Sequence, residues 1–277
     1  MQVKSHLRPK SKIANIFMLV CIAYFGYPIA FLFFTSTKAP QEFGTTSTLW
    51  FGHSFNFFKN LEWLFNANEG IYYIWLKNTI VYSLSGAVGA LICSAMAGFA
   101  IAVYDFKGVK QIQVIILGLV MVPANTLVLP LFIYFANLNL INTKWAVILP
   151  ALVAPLGTFL IAYYAKDNLP KELIQAARLD RASEMRIFLQ LALPILRPTL
   201  ATVFLLNLVT NWNNYFLPLL MFNDPKLFPL SVGLGTAFGG PGLIMGAFVA
   251  MAPILVAFLF LQRYWLKGLN SGSGVHA

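Results

Sequence analysis

Uncharged apolar runs alternate with short polar segments along the whole chain, and six runs stand out, at about 13–37, 78–104, 111–136, 145–165, 198–222 and 242–262. A hydrocarbon core about 30 Å thick needs roughly 20 helical residues to cross it, and each run is long enough. Barrel strands would alternate in polarity over about 10 residues. These runs are apolar throughout, and a lipid-exposed backbone must satisfy its own hydrogen bonds. The pattern predicts an all-α, polytopic membrane protein with six transmembrane helices. Pro123, Pro130, Pro150, Pro155, Pro218 and Pro253 fall within or at the ends of the runs, where kinks are expected.

The polar segments differ in character. Residues 38–77 form one long segment rich in aromatics, including Trp50, Trp63, Tyr72, Tyr73 and Trp75, suited to a membrane–water interface as a lid, an interfacial helix or a docking surface. Segments 137–144 and 223–241 are short and can only connect or gate. On the opposite side, 105–110 is a tight basic turn and 166–197 is the longest polar stretch, where a partner is expected.

Composition supports this picture. Hydrophobic residues make up 59% of the chain and charged residues 10%, against about a quarter charged in soluble domains, and the mean hydropathy is +0.73. The net charge of +10 raises the question of nucleic-acid binding, and the placement of the cations answers it. Fourteen basic residues, among them Lys4, Arg8, Lys10, Lys12, Lys107, Lys110, Lys166 and Lys171, fall on one side, and five, Lys38, Lys59, Lys77, Lys144 and Lys226, on the other. By the positive-inside rule both termini face the cytoplasm. No basic cluster is interleaved with exposed aromatics, so no nucleic-acid partner is expected. Residues 13–37 exceed a signal-peptide core and read as a retained first span.

Candidate chemistry is sparse. No phosphate-binding G-x-x-x-x-G-K-[ST] loop occurs. His6, His53 and His276 lie outside the spans and far apart, so neither a metal cage nor a nucleophile–base pair is visible. Cys21 and Cys93 sit inside spans and read as packing residues. All nine acids lie in loops or at span ends, which weakens an ion-coupled carrier, although sodium sites built from carbonyls and hydroxyls keep that alternative open.

Residues 168–194 read as two short helices. Pro170 suits a first turn and Glu172 the positive end of the helix dipole. Ala176 and Ala177 then lie on a small-residue face open to close approach, Asp180 and Ser183 mark the break, and Ser183 caps the second helix. Pro194 and Pro198 precede the return to the membrane. This segment resembles the cytoplasmic loop of ABC importer permease subunits, with the pattern E-A-A-x3-G-x9-I-x-L-P. Gln175-Ala176-Ala177 takes the first place, Arg181 the glycine place and Leu191-Ala192-Leu193-Pro194 the last. Gln175 removes an acidic charge. Arg181 puts a side chain where the turn usually has none, a strained choice if the residue is left-handed, and could offer a new cation to a partner.

Similar stretches elsewhere, Asn78-Thr79-Ile80, Pro123-Ala124-Asn125-Thr126, Leu140-Ile141-Asn142-Thr143 and Asn211-Trp212-Asn213-Asn214-Tyr215, extend the resemblance to the carbohydrate-uptake branch of six-span, maltose-type permeases. The resemblance implies a tail at 1–12, an importer transmembrane domain at 13–266 and a second tail at 267–277. It implies an oligosaccharide sugar as cargo, a second related permease chain, an extracytoplasmic solute-binding protein, and two ATPase subunits that hold the ATP and Mg while this chain binds no cofactor and catalyses nothing. Residues Gln175, Ala176, Ala177, Asp180, Arg181 and Ser183 would receive the ATPase motion and rock the permease between inward-open and outward-open arrangements.

Asn207, Asn211 and Asn214 recur at i, i+4 and i+7, which places them on one helical face beside Trp212 and Tyr215. Amides and aromatic rings suit a neutral polyol, and the same asparagines would equally serve as interhelical hydrogen-bonding glue. Asn125, beside Pro123, is a second candidate on the sugar path. Gly86, Gly89, Ala95 and Gly98 are expected to let neighbouring helices approach.

Overall fold

The structure, a computed structural model, describes residues 12–271, with side chains through residue 260 and that of Gln262. Of the tails expected at 1–12 and 267–277, residues 1–11 and 272–277, with Lys4, His6, Arg8, Lys10 and His276, lie outside the described residues, as do the side chains of 261 and 263–271; Lys12 opens α1, and 267–271 continue α13. Every regular element among the described residues is helical: α1 (Lys12–Ser36), α2 (Phe57–Asn66), α3 (Ile71–Val103), α4 (Val109–Met121), α5 (Val128–Asn137), α6 (Trp145–Ala151), α7 (Pro155–Asn168), α8 (Lys171–Leu179), α9 (Glu184–Ile187), α10 (Leu193–Trp212), α11 (Phe216–Met221), α12 (Leu230–Ala237) and α13 (Gly240–Ser271).

Five helical stretches are long and apolar enough to cross a bilayer, Lys12–Ser36, Phe57–Val103, Trp145–Asn168, Glu184–Trp212 and Gly240–Phe260. A sixth is complete only if the bent pair α4 and its successor counts as one span. The third expected run, 111–136, is therefore corrected: it is two pieces meeting at 94°. Pro123 has no N–H to donate and forces Val122 out of the helical region, to φ −76° and ψ 121°, and a 3-10 turn, Ala124–Leu127, restarts the chain.

The fifth run is corrected at both ends. Helix α10 is fed by a π-type turn, Phe188–Ala192, and begins at Leu193, because Pro194 sits in its first turn, where no N–H is missed. It stops at Trp212, and α11 is a separate short helix. The second run starts earlier than expected, at Ile71, where three successive left-handed residues, Asn68, Glu69 and Gly70, release the chain into α3. The fourth run is interrupted between α6 and α7, with Pro155 opening the latter.

The described residues divide into two compact units, those up to Gly70 with Ala237–Met251, and Ile71–Thr236 with those from Ala252 on. In the first, Phe34 meets Trp50 and Phe51, and Phe33 and Phe57 meet Phe248 of α13. Asn60 donates to the carbonyls of Ser36 and Lys38, closing the loop after α1.

The second unit is built on α3, which packs along α7 and α10 while α4 packs on α7. Close approach follows from missing side chains. A methyl group built on Gly98 would stand 2.7 Å from Ile161 Cγ2, and one on Gly86 2.7 Å from Asn211 Nδ2. A second core gathers Tyr82, Val128, Phe135, Val147, Leu217 and Met221. Above it the loop before α12 is fastened by polar groups of α3: Trp75 Nε1 donates to the Pro225 carbonyl (2.8 Å), Asn78 to those of Lys226 and Phe228, and Tyr82 to Leu227 (3.0 Å), while Thr79 accepts from the Leu230 amide (2.7 Å). Large apolar side chains such as Ile92, Met96, Ile133 and Leu206 stay exposed on the outward faces, a surface that suits lipid and not water.

Candidate functional site

The first of the two helices expected in 168–194 is separate, whereas the second runs on without a break through the π-type turn into α10, and the structure shows how the elbow between them is made. Pro170 stays extended and α8 starts at Lys171, with Glu172 in the first turn and Arg178 in the last, both matched to the helix dipole. The helix ends in a Schellman motif: the Ala182 amide donates to Ala177 O and the Arg181 amide to Arg178 O, each 3.0 Å. Arg181 occupies the left-handed position of that motif, at φ 58°, where glycine costs nothing and a side chain costs about 1–2 kcal/mol. Ser183 then caps α9 as expected, its Oγ accepting from the Arg186 amide at 3.3 Å.

One apolar residue from each short helix roots the elbow in the bundle. Ile174 of α8 and Ile187 of α9 are buried in a core with Phe99 of α3, Ile161 and Ala165 of α7 and Leu196 of α10. Phe188 lies against Phe99 at 5.2 Å between ring centres. Burying side chains of this size stabilises by about 1.5–3 kcal/mol each, so the elbow moves with the helices that hold it.

A polar contact fixes its angle. Arg178 Nε donates to Glu184 Oε1 at 2.8 Å and Nη2 to Oε2 at 3.2 Å, joining α8 to α9 across the turn. Tyr104, just beyond α3, donates its hydroxyl to Glu184 Oε2 at 2.8 Å, and the Arg178 guanidinium stands 5.7 Å from the centre of the Tyr104 ring. Arg178 first and Tyr104 second hold the Glu184 carboxyl below its ordinary range. Burial and the Glu184 contact raise the Tyr104 hydroxyl, and the Glu184 contact raises Arg178.

Of the expected contact residues, Gln175, Ala176, Asp180, Arg181 and Ser183 are exposed together on the elbow. Ala177 is half-buried: it packs against the elbow's own core and also borders a shallow surface pocket with Asp180, Arg186 and Gln190. Sequence reasoning missed Tyr104, Arg178 and Glu184, whose pairing crosses a turn and 80 residues of chain. It also missed Leu179, 85% exposed at the end of α8; an apolar residue closing a polar run was its only signal.

The proposed sugar-path residues separate. Asn207 and Asn211 are half-buried on α10; Asn207 donates to the Val203 carbonyl of its own helix at 2.8 Å, and Asn211 lies against Gly86 of α3. Asn214 is corrected: α10 ends at Trp212, so Asn214 is off the helix and its carbonyl accepts from Ser231 Oγ at 2.7 Å. Tyr215 approaches Gly235 at the end of α12. Asn125 is exposed in the turn at the α4–α5 bend.

A helical membrane bundle with a core-rooted two-helix elbow defines a class, the transmembrane subunits of importers. Residues 90–270 match the family of binding-protein-dependent transport system inner membrane components. The chain is 37% identical over 252 residues to the arabinooligosaccharides transport system permease protein AraQ of Halalkalibacterium halodurans, covering 89% of this chain and 90% of that protein. It is 29% identical to the melibiose/raffinose/stachyose import permease protein MelC of Bacillus subtilis, over 92% and 93% of the two chains. Its fold superposes with a TM-score of 0.80, at 20% identity and over 96% of this chain and 100% of the other, on a chain from the crystal structure of a bacterial ABC transporter involved in the import of alginate. The chain belongs to the family of binding-protein-dependent inner-membrane components, and is a multi-pass ABC importer permease subunit. Permeases of this family work with an ATPase and a solute-binding protein, and are themselves non-catalytic as a rule.

Proposed function

We propose that this chain is one half of the translocation path of a neutral-oligosaccharide importer, paired with a second, related permease chain and driven from below by two ATPase subunits that hold the ATP and Mg. A solute-binding protein delivers the sugar on the other side. The split of basic residues supports placing the elbow and both termini in the cytoplasm.

The observation that carries the reading is the rooting of the elbow: Ile174 and Ile187 share one core with α3, α7 and α10, so a push on the exposed face formed by Gln175, Ala176, Asp180, Arg181 and Ser183 is transmitted to the spans. Such a lever suits alternating access. The carbohydrate relatives support a sugar as cargo, and the stretch 198–225 contains no Lys or Arg, which favours neutral sugars over acidic ones. Asn207, Asn211, Trp212 and Tyr215 remain the candidates along the path, with Asn214 and Asn125 beyond the helix.

Proteoliposomes holding the intact importer test this. Uptake of labelled neutral arabino- or galacto-oligosaccharides is expected to require ATP and the binding protein and to survive an uncoupler. Uptake that ignores ATP and collapses with the uncoupler would instead establish an ion-coupled carrier.

A further inference from the structure

Beside the elbow, between the ends of α3 and α7 and the starts of α4 and α8, lies a cavity of about 490 Å³, within the size range of small-molecule sites. Its charged lining is unbalanced. Lys110, Lys166, Lys171 and Arg178 face Asp105 alone. Arg178 is held by Glu184, but among the described residues Lys110, Lys166 and Lys171 have no ion-pair partner within 4.0 Å.

Two helix starts border the same space, at Val109 and Lys171, and neither has a side-chain cap, although the Val109 amide itself donates to the Phe106 carbonyl at 3.3 Å. Uncapped N-termini present free N–H groups and positive dipole ends to anions. Gln175 also lines the cavity, and at this position the E-A-A pattern would place a carboxylate that repels an anion. The floor is apolar, with Ile101, Ala165 and Leu169, at the level where the long helices α3 and α7 run out. Basic pockets between membrane helices at this depth suit anionic head groups.

We propose that this cavity is a binding site for a phosphate-bearing anion, with Lys110, Lys166 and Lys171 supplying the charge and the starts of α4 and α8 the backbone donors. The same chemistry is offered by an anionic phospholipid head group seated on the apolar floor and by a soluble phosphate ester. The site is independent of which solute the importer carries.

Equilibrium binding to the purified intact importer tests it, with radiolabelled short-chain phosphatidylglycerol, radiolabelled glycerol phosphate and, as a neutral comparison, phosphatidylcholine. Saturable binding of a phosphate anion, and none of phosphatidylcholine, is expected. Each lysine contributes about fivefold in affinity, so the triple variant K110Q/K166Q/K171Q should bind on the order of a hundredfold more weakly. The remote triple K77Q/K144Q/K226Q should bind as the parent does. Q175E removes no cation and is expected to weaken binding severalfold. K166Q alone, at an exposed helix position, should lose about fivefold and keeps the test open if the triple variant fails to assemble. Displacement of the lipid by glycerol phosphate would assign the site to soluble esters, and displacement by lipid alone to the head group. Absence of binding by either probe, or equal losses in the near and remote triples, would overturn the proposal.

Discussion

Replacing Glu184 by Gln removes the acceptor charge that joins Arg178, Tyr104 and α9 while preserving side-chain size. The Arg178 and Glu184 side chains are 40% and 46% exposed, so their Coulomb attraction is screened and is worth about 0.2–1 kcal/mol. The Tyr104 hydroxyl bonds the same carboxylate, and a hydrogen bond to a charged group adds roughly 1 kcal/mol once exposure is discounted. The total, about 1–2 kcal/mol, converts to a roughly 5–30-fold larger population of the opened elbow. Hydrogen exchange of the α8 and α9 amides in the intact importer reads this directly. Exchange in the α3–α7 contact should not change.

Acid should reproduce the effect in the parent protein. The carboxyl of Glu184 is depressed by its partners, so its contribution is complete above the ordinary carboxylate value and is lost as pH falls through the lowered one. The parent elbow should therefore hold from neutrality down to the ordinary carboxylate range and loosen progressively below it, whereas E184Q should start loose and stay flat. Equal exchange in parent and variant at neutral pH would refute the reasoning. So would strict additivity of E184Q and Y104F, since partners in one network must couple.

Two further outcomes follow from the same geometry. Arg181→Gly should firm the elbow by about 0.5–1 kcal/mol, the relief of left-handed strain less glycine's extra chain entropy. Slower exchange of the turn amides would register it, and Arg181→Ala should give no such gain. Gly98→Ala should cost about 1–3 kcal/mol, because its Cβ would meet Ile161 Cγ2 at 2.7 Å and the Ala162 amide nitrogen at 3.0 Å. Gly118→Ala, with nothing within 4 Å, should be neutral or stabilising in a thermal-unfolding comparison.

The spans were legible because an apolar run of sufficient length has one solution in a bilayer. Their interruptions were less so. Pro123 announced a kink, yet nothing local distinguishes a bend of a few tens of degrees from the 94° turn that forms. The end of α10 at Trp212 was hidden because the apolar pattern runs on through Leu217 and Leu220, and with it the departure of Asn214 from the helical face of Asn207 and Asn211. The elbow was readable from its caps and breakers, and Arg181 from the spacing. Its inner face was not, since burial of Ala177 and the meeting of Tyr104 with Glu184 depend on how α3, α7 and α10 pack, which helical periodicity taken one helix at a time does not contain.

The fastening of residues 225–230 by Trp75, Asn78, Thr79 and Tyr82 has a mechanical consequence at the far end of α3. One continuous 33-residue rod, about 50 Å long, is clamped to a loop at its start and meets the elbow through Tyr104 just past its end. A rod of that kind conveys displacement without absorbing it. Events at the two faces of the membrane are thereby geared together through a single stiff member, and a flexible insertion midway along α3 would disengage them while leaving both ends intact.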